Sequence, residues 1–216
     1  MTIICFGDSL TAGFQSPTPE FPTGQETPYG RFLQEWLGSS VEVRVSGVCG
    51  ELTSEMAMRF RRDVLQHRPD HVVVLGGTND LGWNAMPADI MRNLVKMYEL
   101  ARASEIIPVP VTVPSLRGDV TGGGPDAHGW LEQHLERRRV LNGSIRDYAA
   151  SKHLACVDLF AATADPDTGL LAAPYSNDGL HLTTAGYPSE ASLRANIGLV
   201  SQEVVDAADL DGVGFA

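Results

Sequence analysis

The sequence of 216 residues lacks any long apolar run, and this absence predicts that it has no transmembrane helix. A membrane-spanning helix needs about 20 consecutive apolar residues, and no stretch of this sequence approaches that length. The start, Met1 to Gly7, carries no basic residue and no extended apolar region of the kind found in signal peptides. We therefore expect a cytoplasmic protein without membrane insertion. A secreted protein that has lost its leader is the alternative.

Basic residues and cysteines are also scarce. The chain has 16 Lys and Arg against 27 Asp and Glu, a formal net charge of −11. This balance disfavours binding to nucleic acids or anionic membrane surfaces, because both require a basic surface. The three cysteines, Cys5, Cys49 and Cys156, form no C-x-x-C pair and no zinc-binding spacing. Such a set predicts free thiols rather than a disulfide framework.

Several cofactor and catalytic motifs are absent. The sequence has no P-loop, no H-E-x-x-H and no G-x-G-x-x-G between a strand and a helix, and its six histidines show no paired metal spacing. The G-x-S-x-G elbow of common α/β-hydrolases is missing as well. We therefore expect neither a metal ion nor an organic cofactor.

Length and uniform composition predict one domain over residues 1–216. Five short apolar runs predict strands, at Thr2 to Phe6, Val41 to Val45, His71 to Leu75, Ile106 to Val113 and Leu154 to Val157. Their β-branched and apolar character is typical of strands that are buried on both faces of a parallel sheet.

Segments with helical spacing alternate with these runs. The predicted helices cover Tyr29 to Leu37, Ser54 to His67, Pro87 to Ser104, Trp130 to Ser151 and Ser189 to Ala208. This alternation indicates an α/β fold with helices on both faces of a parallel sheet. Ligands of such folds bind outside the carboxyl ends of the strands, so the loops that follow strands are where chemistry is expected.

Two of these loops are long. The segment Phe14–Pro28 follows the first predicted strand and is rich in Pro, Thr and Gln. The segment Arg117–Gly129 follows the fourth and contains the run Gly122–Gly124. Each is either a mobile rim over the ligand side or a passive surface insertion, and the sequence favours neither.

Three strand ends carry short polar motifs. The first ends in G-D-S-L, which can expose the hydroxyl of Ser9. The second ends in S-G-V-C-G, where Gly47 can present a backbone N–H, and the third in G-G-T-N-D, where Asn79 offers an amide donor. Taken alone, each has a plainer interpretation: a helix cap for Ser9, a turn for Gly47, and a cap or Asx-turn for Asn79.

A fourth motif, N-D-G-L-H, follows the last predicted strand and places Asp178 three residues before His181. The carboxylate can accept the Nδ1–H of the imidazole and leave Nε2 free as a base. A serine nucleophile needs such a base, the base needs an orienting acid, and acyl transfer needs donors for the oxyanion. The four motifs supply a residue for each task and so predict a serine hydrolase.

With these blocks, centred on Ser9, Gly47, Asn79 and His181, the chain resembles the GDSL esterases of the SGNH hydrolase superfamily. The resemblance implies a flavodoxin-like three-layer α/β/α sandwich with a five-stranded parallel sheet in the order 2-1-3-4-5. It implies Ser9 as nucleophile, His181 as general base and then acid, and Asp178 as the residue that orients His181. The Ser9 N–H, the Gly47 N–H and the Asn79 side chain would form the oxyanion hole.

The resemblance also implies hydrolysis of carboxylic esters through an acyl-enzyme on Ser9. We expect short acyl chains, because the sequence offers no apolar stretch for an oil interface and no basic surface for anionic lipid. Trp83, Val113 and Pro114 follow two strand ends and are candidates for the wall of the acyl pocket. The expected partner is a small-molecule ester, and the sequence predicts no oligomeric state.

Other functions remain open at this point. The same residues would serve a lysophospholipase, a thioesterase or a carbohydrate acetylesterase, and also an acyltransferase if water is kept out of the deacylation step. A non-catalytic binding module is a further alternative, although it would not need every motif residue. A nucleotide-binding protein would have only Gly122–Gly124, beside Pro125 and Asp126, for a phosphate.

Overall fold

The computed structural model describes residues 1–118 and 127–184, without the side chains of 127 and 128. Residues 119–126 of the second long loop and the predicted helix Ser189 to Ala208 lie outside the described residues. The single domain over residues 1–216 therefore stays a prediction.

A four-stranded parallel sheet forms the centre of the fold. Its strands are β1 (Thr2–Gly7), β4 (Glu42–Gly47), β5 (His71–Leu75) and β6 (Ile107–Pro110), in the order β4-β1-β5-β6. Two further strands of the described part, β2 (Phe14–Gln15) and β3 (Gln25–Glu26), pair antiparallel within the first long loop. These four strands follow the order 2-1-3-4 within the five-stranded order 2-1-3-4-5 that the family resemblance implies.

The described residues contain seven α-helices: α1 (Ser9–Ala12), α2 (Tyr29–Leu37), α3 (Thr53–Asp63), α4 (Thr78–Gly82), α5 (Pro87–Ala103), α6 (Ala127–Ser151) and α7 (Leu159–Thr163). The apolar spacing of the sequence predicted α2, α3, α5 and α6 to within a few residues, whereas the short helices α1, α4 and α7 are too brief to show a period. Within the described ranges, no helix combines the length and the apolar character that spanning a membrane requires.

The helices form layers on the two faces of the sheet. On one face, α2 approaches so closely that a Cβ at Gly30 would lie 2.6 Å from the side chain of Val45. On the other face, Phe60 of α3 packs edge-on against Phe6 of β1 at 5.2 Å between ring centroids. Helix α5 lies beside both α3 and α6. The predicted three-layer α/β/α sandwich is confirmed.

The fifth predicted strand is reduced to one bridged residue. Val157 donates to the Pro110 carbonyl at 2.9 Å and accepts from Thr112 N–H at 3.0 Å, which pairs it with Val111 in parallel. Pairing does not extend further back along β6, because Pro108 and Pro110 have no N–H to donate. The first four strands keep the expected order. The fifth predicted segment forms a single bridge instead of a strand.

Burial is uneven across the sheet. Ile3 to Phe6 of β1 and Val72 to Leu75 of β5 are buried and form the centre of the core. Strand β4 lies at the edge of the sheet, and Val45 in it is 39% exposed. The expectation that every apolar run is buried on both faces is therefore wrong for β4.

Candidate active site

Ser9 is the first residue of α1, directly after β1. Asp8 forms the N-cap of this helix, since its Oδ1 accepts the Leu10 N–H at 2.9 Å. The capping role suggested as an alternative for Ser9 is thus filled by Asp8. The end of β1 can lie this close to β5 because Gly7 has no side chain. A Cβ there would lie 2.2 Å from the Leu75 carbonyl oxygen. The Ser9 hydroxyl is left for another partner.

That partner is His181. Ser9 Oγ lies 3.1 Å from His181 Nε2, and His181 Nδ1 lies 2.7 Å from Asp178 Oδ2. An ionised carboxylate only accepts hydrogen bonds, so Nδ1 carries the proton and Nε2 is the acceptor for the serine hydroxyl. The structure therefore brings together the three residues that the sequence predicted as a triad.

Asp178 is held by several donors besides the imidazole. Its Oδ1 accepts the N–H groups of Leu180 at 2.9 Å and of His181 at 2.8 Å, and the hydroxyl of Ser176 at 3.2 Å. Burial alone would raise the pKa of Asp178, but the hydrogen bonds from His181, Ser16 and the backbone outweigh burial and hold that pKa well below its usual range. Asp178 is thus a permanently charged acceptor.

Two residues of the first long loop also contact the triad, and the sequence analysis missed both. The Ser16 hydroxyl donates to Asp178 Oδ2, and the Phe14 ring packs edge-on against the His181 ring at 4.8 Å between centroids. Neither residue belongs to a recognisable motif. The start of the loop Phe14–Pro28 is therefore part of the site rather than a passive insertion.

Asn79 lies in α4, directly after β5. Its Nδ2 donates to the backbone carbonyl of Glu51 at 2.9 Å, across 28 residues of chain. The next residue, Asp80, accepts from the Thr53 N–H at 3.0 Å and from the Thr53 hydroxyl at 2.6 Å. Asn79 is therefore not a local cap. It faces the turn after β4, with one amide N–H still available.

Gly47 is the last residue of β4, and the ladder determines its backbone direction. Val48 N–H donates to the Gly7 carbonyl at 3.0 Å. Neighbouring residues of a parallel strand point their N–H groups to opposite sides, so the Gly47 N–H points away from β1. A Cβ at Gly47 would lie 2.3 Å from the Ala12 nitrogen. Gly47 therefore packs closely beneath α1, where a residue with a side chain would not fit.

A cavity of about 310 Å³ opens beside Asn79. Trp83, Leu116, Trp130 and Leu180 supply apolar parts of its wall. Trp83, a predicted wall residue, is 79% exposed at the mouth. The described residues contain no cluster of three or more His, Cys, Asp or Glu that could hold a metal ion.

The other two predicted wall residues have structural contacts instead. Val113 is fully buried, and its N–H and C=O bond to the side chain of Asn142 at 2.8 and 2.9 Å. The Pro114 carbonyl accepts from Arg138 of α6. Leu116, two residues after Pro114, lines this cavity, and Val113 and Pro114 do not; their role in an acyl pocket stays a prediction.

A buried ion-pair network supports the turn that Asn79 faces. Arg59 of α3 contacts Glu51 at 2.6 Å and Asp63 at 2.9 Å, and both Arg59 and Glu51 are less than one-tenth exposed. Arg59 also donates to the Gly7 carbonyl at 2.8 Å and to the Ser46 hydroxyl at 2.7 Å. One guanidinium thus joins the ends of β1 and β4 to the turn before α3.

We expect Arg59→Met to destabilise the fold strongly. The substitution leaves the Glu51 carboxylate buried without its cation, and removing one partner of a buried pair costs about 3–5 kcal/mol. Urea unfolding measures the change in the free energy of unfolding. Arg61→Met, at an exposed position of the same helix, is the control and should change stability little. A loss below about 1 kcal/mol for Arg59→Met, the range of surface ion pairs, would contradict this assignment.

The motif residues fall within a match to a known family. A family model described as GDSL-like Lipase/Acylhydrolase family matches residues 5–188. The chain belongs to this family. The resemblance seen in the four motifs is thereby confirmed.

Two curated relatives in this comparison cover part of the chain. An uncharacterized lipoprotein, YqeF, of Bacillus subtilis (strain 168) is 26% identical over 124 residues, 54% of this chain and 50% of the relative. An arylesterase of Vibrio mimicus is 30% identical over 117 residues, 52% of this chain and 55% of the relative. The chain thus spans about half the length of the curated relatives it matches.

Solved structures share this fold. One of them, Est24, a carbohydrate acetylesterase from Sinorhizobium meliloti, superimposes with a TM-score of 0.70 at 18% identity and covers 94% of this chain and 98% of its own. At this identity the similarity establishes the fold and nothing finer.

Proposed function

We propose that this GDSL-family chain is a serine esterase that hydrolyses short-chain carboxylic esters through an acyl-enzyme on Ser9. The observation that carries the proposal is the continuous hydrogen-bonded chain from Ser9 through His181 to Asp178, with 3.1 and 2.7 Å between the partners. Family membership supports the reaction type. The acyl length and the natural substrate are part of the proposal.

In the proposed reaction, Ser9 Oγ attacks the ester carbonyl carbon while His181 Nε2 takes its proton. The tetrahedral intermediate collapses as the bond to the alcohol oxygen breaks, and the alcohol leaves with the proton from His181. Water then attacks the acyl-enzyme in the same way, with His181 as base and then as acid. Asp178 stabilises the imidazolium and keeps its proton on Nδ1.

The oxyanion needs donors that are already in place before the reaction. The Ser9 N–H, at the N-terminus of α1, donates no hydrogen bond within the described residues, and the Asn79 amide keeps one N–H for the substrate. The sequence suggested Gly47 as the third donor, and Gly47 remains a candidate; Gly50 is a second candidate for the role. Gly50 has a positive φ of 78° in the turn beside Asn79, and among the described residues its N–H is unbonded.

The cavity supports a small acyl group. A volume of about 310 Å³ is at the lower end of the range for small-molecule sites, roughly 300–1,000 Å³. The exposed face of Trp83 at its mouth suits packing against an aromatic or sugar ring of the substrate. An aryl ester and an acetylated sugar, the substrates implied by the names arylesterase and carbohydrate acetylesterase, are therefore both candidates.

The expected partner is a small-molecule ester. The cytoplasmic location expected from the sequence also stays a prediction, and the Bacillus subtilis relative is named as a lipoprotein.

A fluorophosphonate probe combined with a series of 4-nitrophenyl esters, from acetate to laurate, tests the proposal. We expect the probe to modify Ser9, as located by peptide mass, and turnover to peak at acetate to butyrate. A peak at octanoate or longer would keep the mechanism and shift the substrate to a lipid or a thioester. The absence of both labelling and turnover would overturn the proposed function.

A further inference from the structure

The cavity beside Asn79 carries three buried polar atoms without partners. They are Arg138 Nε, His134 Nδ1 and Thr78 Oγ1, and no hydrogen bond to any of them occurs among the described residues. All three residues line the cavity. Buried polar atoms are nearly always hydrogen-bonded, so three orphans on one cavity indicate a ligand group that would satisfy them.

Arg138 is the most unusual of the three. Its side chain is fully buried in α6, where it donates to the Pro114 carbonyl and contacts His134 Nε2 at 3.3 Å. No carboxylate of the described residues forms an ion pair with it, although Asp8 acts on it electrostatically from a distance. Burial lowers the pKa of Arg138 to about 10, so the group stays cationic at neutral pH. A buried cation of this kind normally has a counter-ion.

The chemistry of the neighbours determines what would fit. Arginine can only donate, so His134 Nε2 accepts from Arg138 and Nδ1 bears the ring proton. Burial and the charges of Arg138 and Arg137 lower the pKa of His134 to about 4, which keeps the ring neutral. The orphan Nδ1 is therefore a donor, and the Thr78 hydroxyl can donate as well. A cation and two donors together suit an anion.

The rest of the wall limits the shape of the ligand. Trp130 lies against His134 with 4.8 Å between ring centroids, and Leu116 and Trp83 add apolar surface. Asn79 joins the cavity to the oxyanion donors. A ligand whose ester carbonyl lies at Ser9 and whose acyl chain extends past Asn79 into this cavity would face both apolar surface and the positive charge of Arg138.

We propose that the cavity receives an acyl group that ends in a carboxylate, so that the preferred substrates are half-esters of short dicarboxylic acids. This inference rests on the proposed esterase function and names its substrate class. The positive charge of Arg138 attracts the carboxylate through low-dielectric surroundings. His134 Nδ1–H and the Thr78 hydroxyl donate hydrogen bonds to it. A charge-assisted contact of this type corresponds to about a 10- to 100-fold preference.

The wild-type protein provides the decisive comparison. Hydrolysis of monomethyl glutarate is measured by pH-stat against its neutral isostere, methyl glutaramate, in which an amide replaces the free acid. We expect kcat/KM to be at least about tenfold higher for the acid. Equal rates, or faster hydrolysis of the amide, would overturn the proposal. Faster hydrolysis of acetoxyacetate, which carries its carboxylate on the alcohol side, than of monomethyl glutarate would overturn it too.

Variants assign the preference to the cavity. Arg138→Gln should remove the preference for the acid while 4-nitrophenyl acetate is still hydrolysed, and Arg139→Gln, at the exposed neighbouring position, should keep it. If Arg138→Gln does not fold, Thr78→Val carries the test, with a smaller loss of preference. Retention of the full preference in a folded variant overturns the assignment.

The two proposals fail differently. Labelling of Ser9 with hydrolysis of neutral esters but no preference for the acid rejects the carboxylate site alone. Absence of labelling and of all ester turnover rejects the esterase function, and the carboxylate proposal with it.

Discussion

Ser9→Ala is expected to lower kcat for 4-nitrophenyl acetate by about 10⁶-fold, the loss typical when the nucleophile of a serine triad is removed. The hydroxyl is the group that would form the acyl-enzyme, and no other hydroxyl is recorded at hydrogen-bond distance from His181 Nε2 among the described residues. Without the Ser9 hydroxyl, His181 can only activate a water molecule that attacks the substrate directly. Residual rate above the uncatalysed reaction would come from the oxyanion donors and from binding.

The substitution should leave the fold intact, which makes the result interpretable. Asp8 rather than Ser9 caps α1, so the helix keeps its N-terminal hydrogen bond. Stopped-flow kinetics should show that the burst disappears, and the fluorophosphonate probe should no longer label the protein. Ser151→Ala, at an exposed position at the end of α6, is the control and should retain full turnover. Near wild-type turnover in Ser9→Ala would reject Ser9 as nucleophile.

The residues of the triad could be predicted because a parallel sheet simplifies the geometry. The carboxyl ends of its strands meet at one edge, so motifs that follow different strands come together wherever they lie in the chain. Ser9 and Asn79 follow strands in this way, whereas His181, 172 positions from Ser9, lies in a loop beyond the single bridged residue Val157 and was recognised by its motif with Asp178. Elements such as α2 and β5 were predictable from the pattern of apolar residues within their own segments.

The contacts that could not be predicted depend on loops and on close packing. Ser16, directly after the short strand β2, reaches Asp178 over 162 positions, and no sequence pattern describes that contact. Gly47 and Gly50 look equivalent in the motif, and the sequence does not show that Gly47 packs against α1 whereas Gly50 lies in an open turn with a positive φ. The helical period places His134 and Arg138 on one face of α6, four residues apart, but it does not show that this face lines a cavity.

The orienting carboxylate gives the second large effect, because the site depends on a single tautomer of His181. Asp178→Asn should lower kcat by about 10⁴-fold, as the same exchange does in a Ser-His-Asp triad. The Asn carbonyl can still accept the backbone N–H groups of Leu180 and His181, so we expect the loop to remain in place. The amide N–H, however, faces His181 Nδ1 and requires an acceptor there.

The imidazole then carries its proton on Nε2, where it can no longer accept the Ser9 proton. Measurement of kcat over a range of pH should show this loss at every pH, because Asp178 in the unmodified protein stays ionised throughout. Asp167→Asn, an exposed control, should match the unmodified protein. A loss of tenfold or less for Asp178→Asn would mean that the neighbouring Phe14 and the backbone suffice to orient His181. The carboxylate would then stabilise the loop rather than determine the tautomer.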